Sequence, residues 1–346
     1  MTELFCIGNP IVDIFIEIDE RLAEKYGILE PAVHIEYEKA QAILREPSVD
    51  FLNAIKSSGG GAANVAKIAA MLGMNTAFYG SIGHDELASF FEQEITSAGV
   101  SVFFVKSNEK TGLCLACNIN GETRFAASPG AALELTEADI NDDLFGNVEV
   151  VVLDGYILDR RPLVQHILLL TSRRGIPVVM DAGSIFQVRS KAEEILTYSR
   201  NFPLIIFMNA DEAIAFYDTI RKTGEESSVL SEKEKEALVL RDVCAMLKII
   251  TDGELFPIVV VKLGSRGAIV VAGGNVYREE TFSIIPRSTV GAGDAFCAAF
   301  ISAWIRNKSI SECAALGNKV AGKILEVPGT QIKSEKLNKY AKMLNK

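Results

Sequence analysis

Ser288-Thr289-Val290-Gly291-Ala292-Gly293-Asp294-Ala295-Phe296 is a run of small residues and two glycines that passes directly into an apolar helical pattern over 292–305. The first N–H groups of a helix have no partner within it and lie at the positive end of its dipole, so a turn of this kind suits an anion such as phosphate. Gly291 and Gly293 let the backbone approach that anion, and Asp294 falls in the first helical turn. An Asp at that place also has a plain structural use, as a cap or as a complement to the dipole. The turn alone leaves the two uses about even.

A second run, Gly59-Gly60-Gly61-Ala62-Ala63-Asn64-Val65-Ala66, also opens a helical pattern, over 62–72, and is followed by Gly80-Ser81-Ile82-Gly83. Three consecutive glycines bring backbone close to a ligand, and the Asn64 amide offers donors and an acceptor to hydroxyl groups. Around these turns, short apolar runs alternate with longer helical patterns. Buried strands are expected at Leu4–Ile7, Thr76–Tyr79, Val148–Leu153, Pro177–Met180, Leu204–Met208, Ile258–Val261 and Ala268–Val271. Further helices are expected near 85–98, 161–172, 232–248 and 310–326. Several strands are apolar at every position, as parallel strands covered on both faces are. The alternation implies an α/β fold with a doubly wound, mostly parallel sheet flanked by helices.

Two stretches depart from that rhythm. Residues 11–18 carry Asp13 and Glu17 within an apolar strand pattern. Residues 101–126 read as successive short strands, with Asn120-Gly121 as a hairpin turn between Cys114–Ile119 and Thr123–Ala127. They are expected to form a small β-sheet lid, from discontinuous segments at roughly 11–50 and 101–127. The charged stretch 221–242, with Glu225, Glu226 and Glu232 to Glu236, reads as a solvated loop and helix.

Composition narrows the classes of partner. Charged residues make up 23% of the chain, and the net charge of -10 repels a phosphate backbone, so nucleic acid is not expected as a partner. No apolar run reaches the roughly 20 residues that span a bilayer, no signal-peptide pattern is read, and a cytoplasmic location is expected. The six cysteines sit among apolar residues, as buried free thiols do. Cys114-x-x-Cys117 lies in a strand pattern with no second pair at metal-ligand spacing. Gly317-x-x-x-x-Gly322-Lys323 lacks the Ser or Thr of a P-loop and lies in a helical pattern. A dinucleotide-dependent oxidoreductase needs Gly-x-Gly-x-x-Gly after the first strand, which Gly8-Asn9-Pro10 does not supply.

The two glycine-rich turns, in this order, resemble those of the ribokinase-like, or PfkB, family of carbohydrate and nucleoside kinases. The resemblance extends through Gly8-Asn9-Pro10-Ile11-Val12-Asp13, Asn209-Ala210-Asp211-Glu212 and Lys262-Leu263-Gly264 with Gly267, so it covers nearly the whole chain as a single domain, 1–346. It implies an ATP-dependent phosphotransferase acting on a hydroxyl of a small sugar or nucleoside. Asp294 matches the catalytic base, and Gly291, Ala292 and Gly293 the anion hole. Asp13, with Asn9 beside it, matches the carboxylate that binds sugar hydroxyls, and Gly59, Gly60 and Asn64 match the acceptor turn. Arg124 is expected to reach the site from the lid. Lys262, Leu263, Gly264, Gly267 and Asn318 match the nucleotide site. Asn209 and Glu212 match the Asn-x-x-Glu motif that organises Mg²⁺ and phosphates.

Two positions depart from the family pattern. Ser288 stands where an acidic residue is common, which leaves a monovalent cation such as K⁺ beside this loop an open question. Asp181-Ala182-Gly183-Ser184 lacks the Asn of an Asp-x-Asn pattern, so Asp181 receives no strong role. The opening Gly-Asn-Pro-Ile-Val-Asp is most similar to adenosine-kinase-type members, which favours a nucleoside modestly over a free hexose or pentose. The alternative is a catalytically inactive sugar- or nucleoside-binding regulator on the same fold. A large lid would cover the site in a monomer, whereas a smaller one would be completed by a second subunit in a homodimer.

Overall fold

Leu4 and Cys6 pack into one hydrophobic core, while Phe5 and Ile7 between and beyond them pack into another. That is the period-two alternation of a strand covered on both faces. A computed structural model of the chain describes residues 2–222, 230–251, 255, 257–282, 284–327 and 332–344. Glu225 and Glu226 of the charged stretch lie outside the described residues.

The strands in chain order are β1 (Thr2–Ile7), β2 (Ile11–Glu17), β3 (Ala32–His34), β4 (Ile55–Gly59), β5 (Thr76–Ile82), β6 (Ser101–Lys106), β7 (Gly112–Ile119), β8 (Glu122–Ser128), β9 (Val148–Leu153), β10 (Val178–Asp181), β11 (Leu204–Asn209), β12 (Ile258–Lys262), β13 (Ala268–Ala272) and β14 (Asn275–Glu279). Among the described residues, nine of them form one sheet in the order β14-β13-β12-β11-β10-β9-β1-β5-β6, and five form a second in the order β3-β8-β7-β2-β4. From β12 to β6 every pairing in the large sheet is parallel, and the antiparallel pairings are those of β13 with β12 and with β14. Helices Gly61–Met71, Ala292–Ile305 and Ile310–Ile324 cover one face. Helices Arg161–Arg173, Ile185–Asn201, Ala210–Arg221 and Cys244–Thr251 cover the other.

Ile185–Asn201 and Ala210–Arg221 are absent from the sequence-based list, because charged residues dilute their apolar stripes. Their start signals were readable. Ser184 Oγ accepts from Gln187 N–H at 3.2 Å, and Asn209 and Glu212 cap each other reciprocally.

The Asn120-Gly121 turn joins β7 to β8 as expected, with φ of 53° and 92° at its two residues. Ser101–Lys106 does not belong to the small sheet. It pairs in parallel with β5 and closes one edge of the large sheet, because Val102, Phe104 and Val105 find apolar partners in the two main cores. The small sheet takes β4 instead, from residues 55–59, beyond the stretch expected to supply it. Residues 20–26 and 37–44, inside that stretch, are helices packed on one face of the small sheet.

Candidate active site

The parallel strands of the large sheet end at one edge, and several of the residues there are polar. Asn9 follows β1 and Asp154 follows β9, while Asp181, Asn209 and Lys262 are the last residues of β10, β11 and β12. Ligands of open α/β sheets bind in this crevice, outside the carboxyl ends of the strands. Asp154 was not singled out in the sequence, and Asp181 was noted there but given no strong role. Their only signal is an acidic residue closing an apolar strand.

The two glycine-rich turns meet here. Asn64 Nδ2 donates to Asp294 Oδ2 at 2.9 Å, joining residues 230 positions apart. A Cβ on Gly61 would stand 3.6 Å from Asp294 Oδ1 and 3.7 Å from Asp154 Oδ2. One on Gly293 would stand 3.1 Å from Lys262 Nζ. The two turns, two carboxylates and an ammonium group therefore border one small space. Gly291, at φ 76°, is the cap from which helix Ala292–Ile305 starts, so the N–H groups of that first turn, which have no partner within the helix, sit beside Asp294. Ser288 Oγ accepts from Val290 N–H at 3.3 Å and holds the preceding loop.

Lys262 Nζ is 2.9 Å from Asp181 Oδ2. Burial alone favours its neutral amine, but Asp181 and Glu212 outweigh burial and push its pKa above the ordinary lysine range. The ammonium group therefore stays charged where phosphate charge has to be neutralised. Glu212 is buried, and both its carboxylate oxygens accept from Asn209, at 2.8 Å from the backbone N–H and 2.7 Å from Nδ2. Burial, with Asp181 nearby, raises its pKa to about 7. Burial likewise raises Asp294, with Asp181 and Asp154 adding repulsion against Asn64 and Lys262, to about 6. A base poised there is ionised at neutral pH and still a useful proton acceptor.

On the acceptor side, Asp13 lies on β2 with Ser57 and Cys114 opposite it in the neighbouring strands. Its carboxylate packs onto Gly59, where any Cβ would collide with it. Burial raises its pKa to about 7, with Lys67 opposing and Asp294 and Glu94 reinforcing the rise. Asn9 Oδ1 accepts from Arg160 Nη2 at 2.6 Å, and Arg160 Nη1 donates to the Ala132 carbonyl at 2.6 Å. Arg160 and Lys67 also escaped the sequence reading.

Gly60, at φ 91°, lies so close to Asn9 that a Cβ would fall on the Asn9 carbonyl oxygen. Gly60→Ala is therefore expected to cost about 2 kcal/mol or more of stability, measured by urea unfolding. A variant as stable as the wild type would contradict this close approach.

Arg124 does not reach the site. Across β2, β7 and β8, Asp13 lines up with Cys114 and Ala127, whereas Arg124 lines up with Cys117 and Ile16 on the opposite face of the sheet. There its Nη1 donates to the Ile28 carbonyl at 3.1 Å. The same alternation puts Cys114 and Cys117 on opposite faces, and all six cysteines are buried free thiols.

Leu263, Gly264 and Gly267 form the tight turn between β12 and β13, closed by the Leu263 N–H to Gly267 carbonyl bond at 2.8 Å. Asn318, on helix Ile310–Ile324, meets this turn through Glu279, on whose carbonyl oxygen a Cβ at Gly267 would fall. Its Nδ2 donates to the carbonyls of Glu279 and Glu280, both at 3.3 Å. Beside it runs a groove of about 430 Å³ bordered by Thr281, Phe282, Gly322 and Tyr340. The lysine of the P-loop lookalike, Lys323, lies inside the same helix. Among the described residues, no helix is long and apolar enough to cross a membrane.

Comparison with known proteins identifies the family. The sequence profile of the pfkB family carbohydrate kinases matches residues 22–337. An adenosine kinase from Schizophyllum commune is 24% identical, with 97% of this chain and 98% of the relative covered. An ATP-dependent ribose-1-phosphate kinase from Halopiger xanaduensis is 25% identical, with 83% and 88% covered. The crystal structure of an adenosine kinase from Sinorhizobium meliloti shares the fold, with a TM-score of 0.81 at 24% identity over 98% of this chain and 99% of that one. The chain belongs to the pfkB family of carbohydrate kinases, in its adenosine-kinase-like branch, and is a phosphotransferase with an alcohol group as acceptor.

Proposed function

We propose that this kinase transfers the terminal phosphate of ATP to a hydroxyl of a nucleoside, adenosine or a close analogue, with Asp294 as the base. The observation that carries the reading is the Asn64–Asp294 hydrogen bond, which ties the acceptor turn to the helix start suited to phosphate. In the transfer the acceptor oxygen bonds to the terminal phosphorus, the bond to the bridging oxygen breaks, ADP leaves, and the hydroxyl proton passes to Asp294. Phosphoryl transfer asks for alignment and charge neutralisation more than for covalent help. Asn64 orients the Asp294 carboxylate, and Lys262 with the N–H groups at 291–293 takes up charge on the phosphate.

The lid sheet favours a nucleoside over a bare polyol. Phe15, Ala116 and Phe125 form a row beside the row of Asp13, Cys114 and Ala127, on the same face of the sheet. A carboxylate next to an apolar aromatic strip matches ribose hydroxyls joined to a flat base. An acceptor that already carries phosphate suits this side poorly, since Asp13, Asp154 and Asp294 all border it and Arg160 is engaged with Asn9.

Among the described residues, no three His, Cys, Asp or Glu side chains gather closely enough to hold a metal by themselves. Mg²⁺ keeps waters and substrate phosphates as ligands and needs few protein groups. Asn209 and Glu212 would hold it through water, and it would neutralise phosphate charge. ATP would lie along 262–267 towards Asn318, and the lid would cover the acceptor.

The test is ADP release from ATP and Mg²⁺ across a panel of nucleosides and free sugars, with Asp294→Asn as the blank. Turnover with adenosine that vanishes in the blank is the expected result. Turnover with a free sugar alone would overturn the acceptor, and binding without turnover on any acceptor would turn the reading to a binding regulator.

A further inference from the structure

Helix Gly61–Met71 carries a second functional side chain one turn beyond Asn64. Lys67 follows Asn64 by three positions, so the two project from neighbouring places on one helix face. Lys67 is buried, and its Nζ donates to the Ser58 carbonyl in β4. The Ser58 N–H donates in turn to Glu94, on helix Glu86–Ser97, and Ser57 Oγ lies 3.4 Å from the same carboxylate. Ser57 is the residue directly opposite Asp13, and Gly59 is the one on which the Asp13 carboxylate packs. A lysine is almost never buried unless it is paired. Here the charges interacting with it are Glu94, Asp13 and Asp294.

We propose that Lys67 is a positioning residue for the acceptor, whose buried ammonium group pins the 57–59 strand behind Asp13 and holds the Asp13 carboxylate as an anion facing the acceptor hydroxyls. The charges acting on Asp13 come from three elements, Lys67 from its helix, Glu94 from the helix behind β4 and Asp294 from the catalytic helix, while Cys114 on β7 faces it as a neutral thiol that burial and Asp13 keep protonated. Lys67 is the cation among them, and two carboxylates oppose it. Without it, burial and the repulsion of Glu94 and Asp294 act on Asp13 unchecked, and the protonated form takes over at a higher pH. Taking away Glu94 has the opposite sign. Burial also works against the charge on Lys67 itself, so its retention in this cluster depends on the carboxylates around it.

This inference rests on the role of Asp13 as acceptor ligand, so the experiment separates the two. The carboxyl carbon of Asp13, labelled with ¹³C-aspartate and assigned by its loss in Asp13→Asn, is titrated by NMR in the free enzyme. Lys67→Met is expected to raise its midpoint by about one pH unit, Glu94→Gln to lower it, and Lys67→Arg to restore it. In parallel, kcat/KM for adenosine is followed against pH, with KM for ATP as control. In Lys67→Met the low-pH limb is expected to move up with the Asp13 midpoint, and KM for adenosine to rise about tenfold while KM for ATP stays within threefold. An Asp13 midpoint unmoved in folded Lys67→Met would overturn the proposal. If Lys67→Met fails to fold, the same titration and KM comparison in Lys67→Gln decides. No turnover of adenosine by wild-type enzyme, with the Asp13 midpoint moving as stated, would refute the acceptor reading and leave the Lys67–Asp13 coupling standing.

Discussion

Asp294→Asn is expected to lower kcat by about three orders of magnitude while leaving the affinity for ATP within about threefold. The amide has nearly the shape of the carboxylate and keeps an oxygen to accept from Asn64 Nδ2, so the junction of the two turns survives. What disappears is the proton acceptor. The residues proposed to hold ATP, 262–267 and 318, are not altered, and Lys262 keeps Asp181 as its partner.

The same substitution is expected to stabilise the folded protein at neutral pH. The folded pKa of Asp294, about 6, lies above the ordinary value of 3.8, chiefly through burial. The folded state therefore binds a proton more tightly than the unfolded state does. Its stabilising effect is full below about pH 4 and is lost as pH rises through about 6. At pH 7.5 the wild type holds this carboxylate charged at a cost that asparagine avoids, and a rise in Tm of about 1–4 °C follows. Loss of activity with gain of stability is the mark of a group kept strained for function. A variant with wild-type turnover would sink the assignment of the base. One inactive only because it melts early would show that the effect was structural.

Asp13→Ala is the second large effect. KM for the acceptor is expected to rise about 10- to 150-fold, with KM for ATP changed by less than about threefold. A hydrogen bond to a charged partner is worth about 1.5–3 kcal/mol, and about 1.4 kcal/mol is tenfold in affinity. Asp13 sits on the lid sheet, away from the 262–267 turn, so ATP has no part in the loss. Alanine at this place removes a buried carboxylate that repels Glu94 and Asp294, so a large loss of stability is not expected. Equal losses for both substrates would contradict the assignment. The wild-type pH profile carries the same signature. kcat/KM for the acceptor should fall below about pH 7, where Asp13 and then Asp294 take up protons as an interacting pair, while kcat should fall later, near 6.

Much of this was legible in the chain before folding. The apolar runs at 4–7, 148–153, 204–208 and 258–261 could only be strands covered on both faces. The two glycine-rich turns could only open helices. Asn120-Gly121 could only be a tight hairpin turn, because both residues adopt positive φ there. These are local properties, set by side-chain period and backbone sterics within a few residues.

Asp154, Arg160 and Lys67 were not legible, and Asp181 was noticed without a role. An acidic residue at a strand end, or a lysine within an alanine-rich helix, has no local mark that separates it from a solvated charge. Its meaning comes from partners far along the chain: Asp181 for Lys262, Asn9 for Arg160, and the 57–59 strand with Glu94 for Lys67. Arg124 shows the converse, since its place in a promising hairpin suggested the site and its register put it on the far face. The sequence by itself determined the main strands and the two glycine-rich helix starts, because each is specified by near neighbours. Only the tertiary structure decided which charges meet, because burial and pairing depend on which strand ends and helix faces the sheet order brings together.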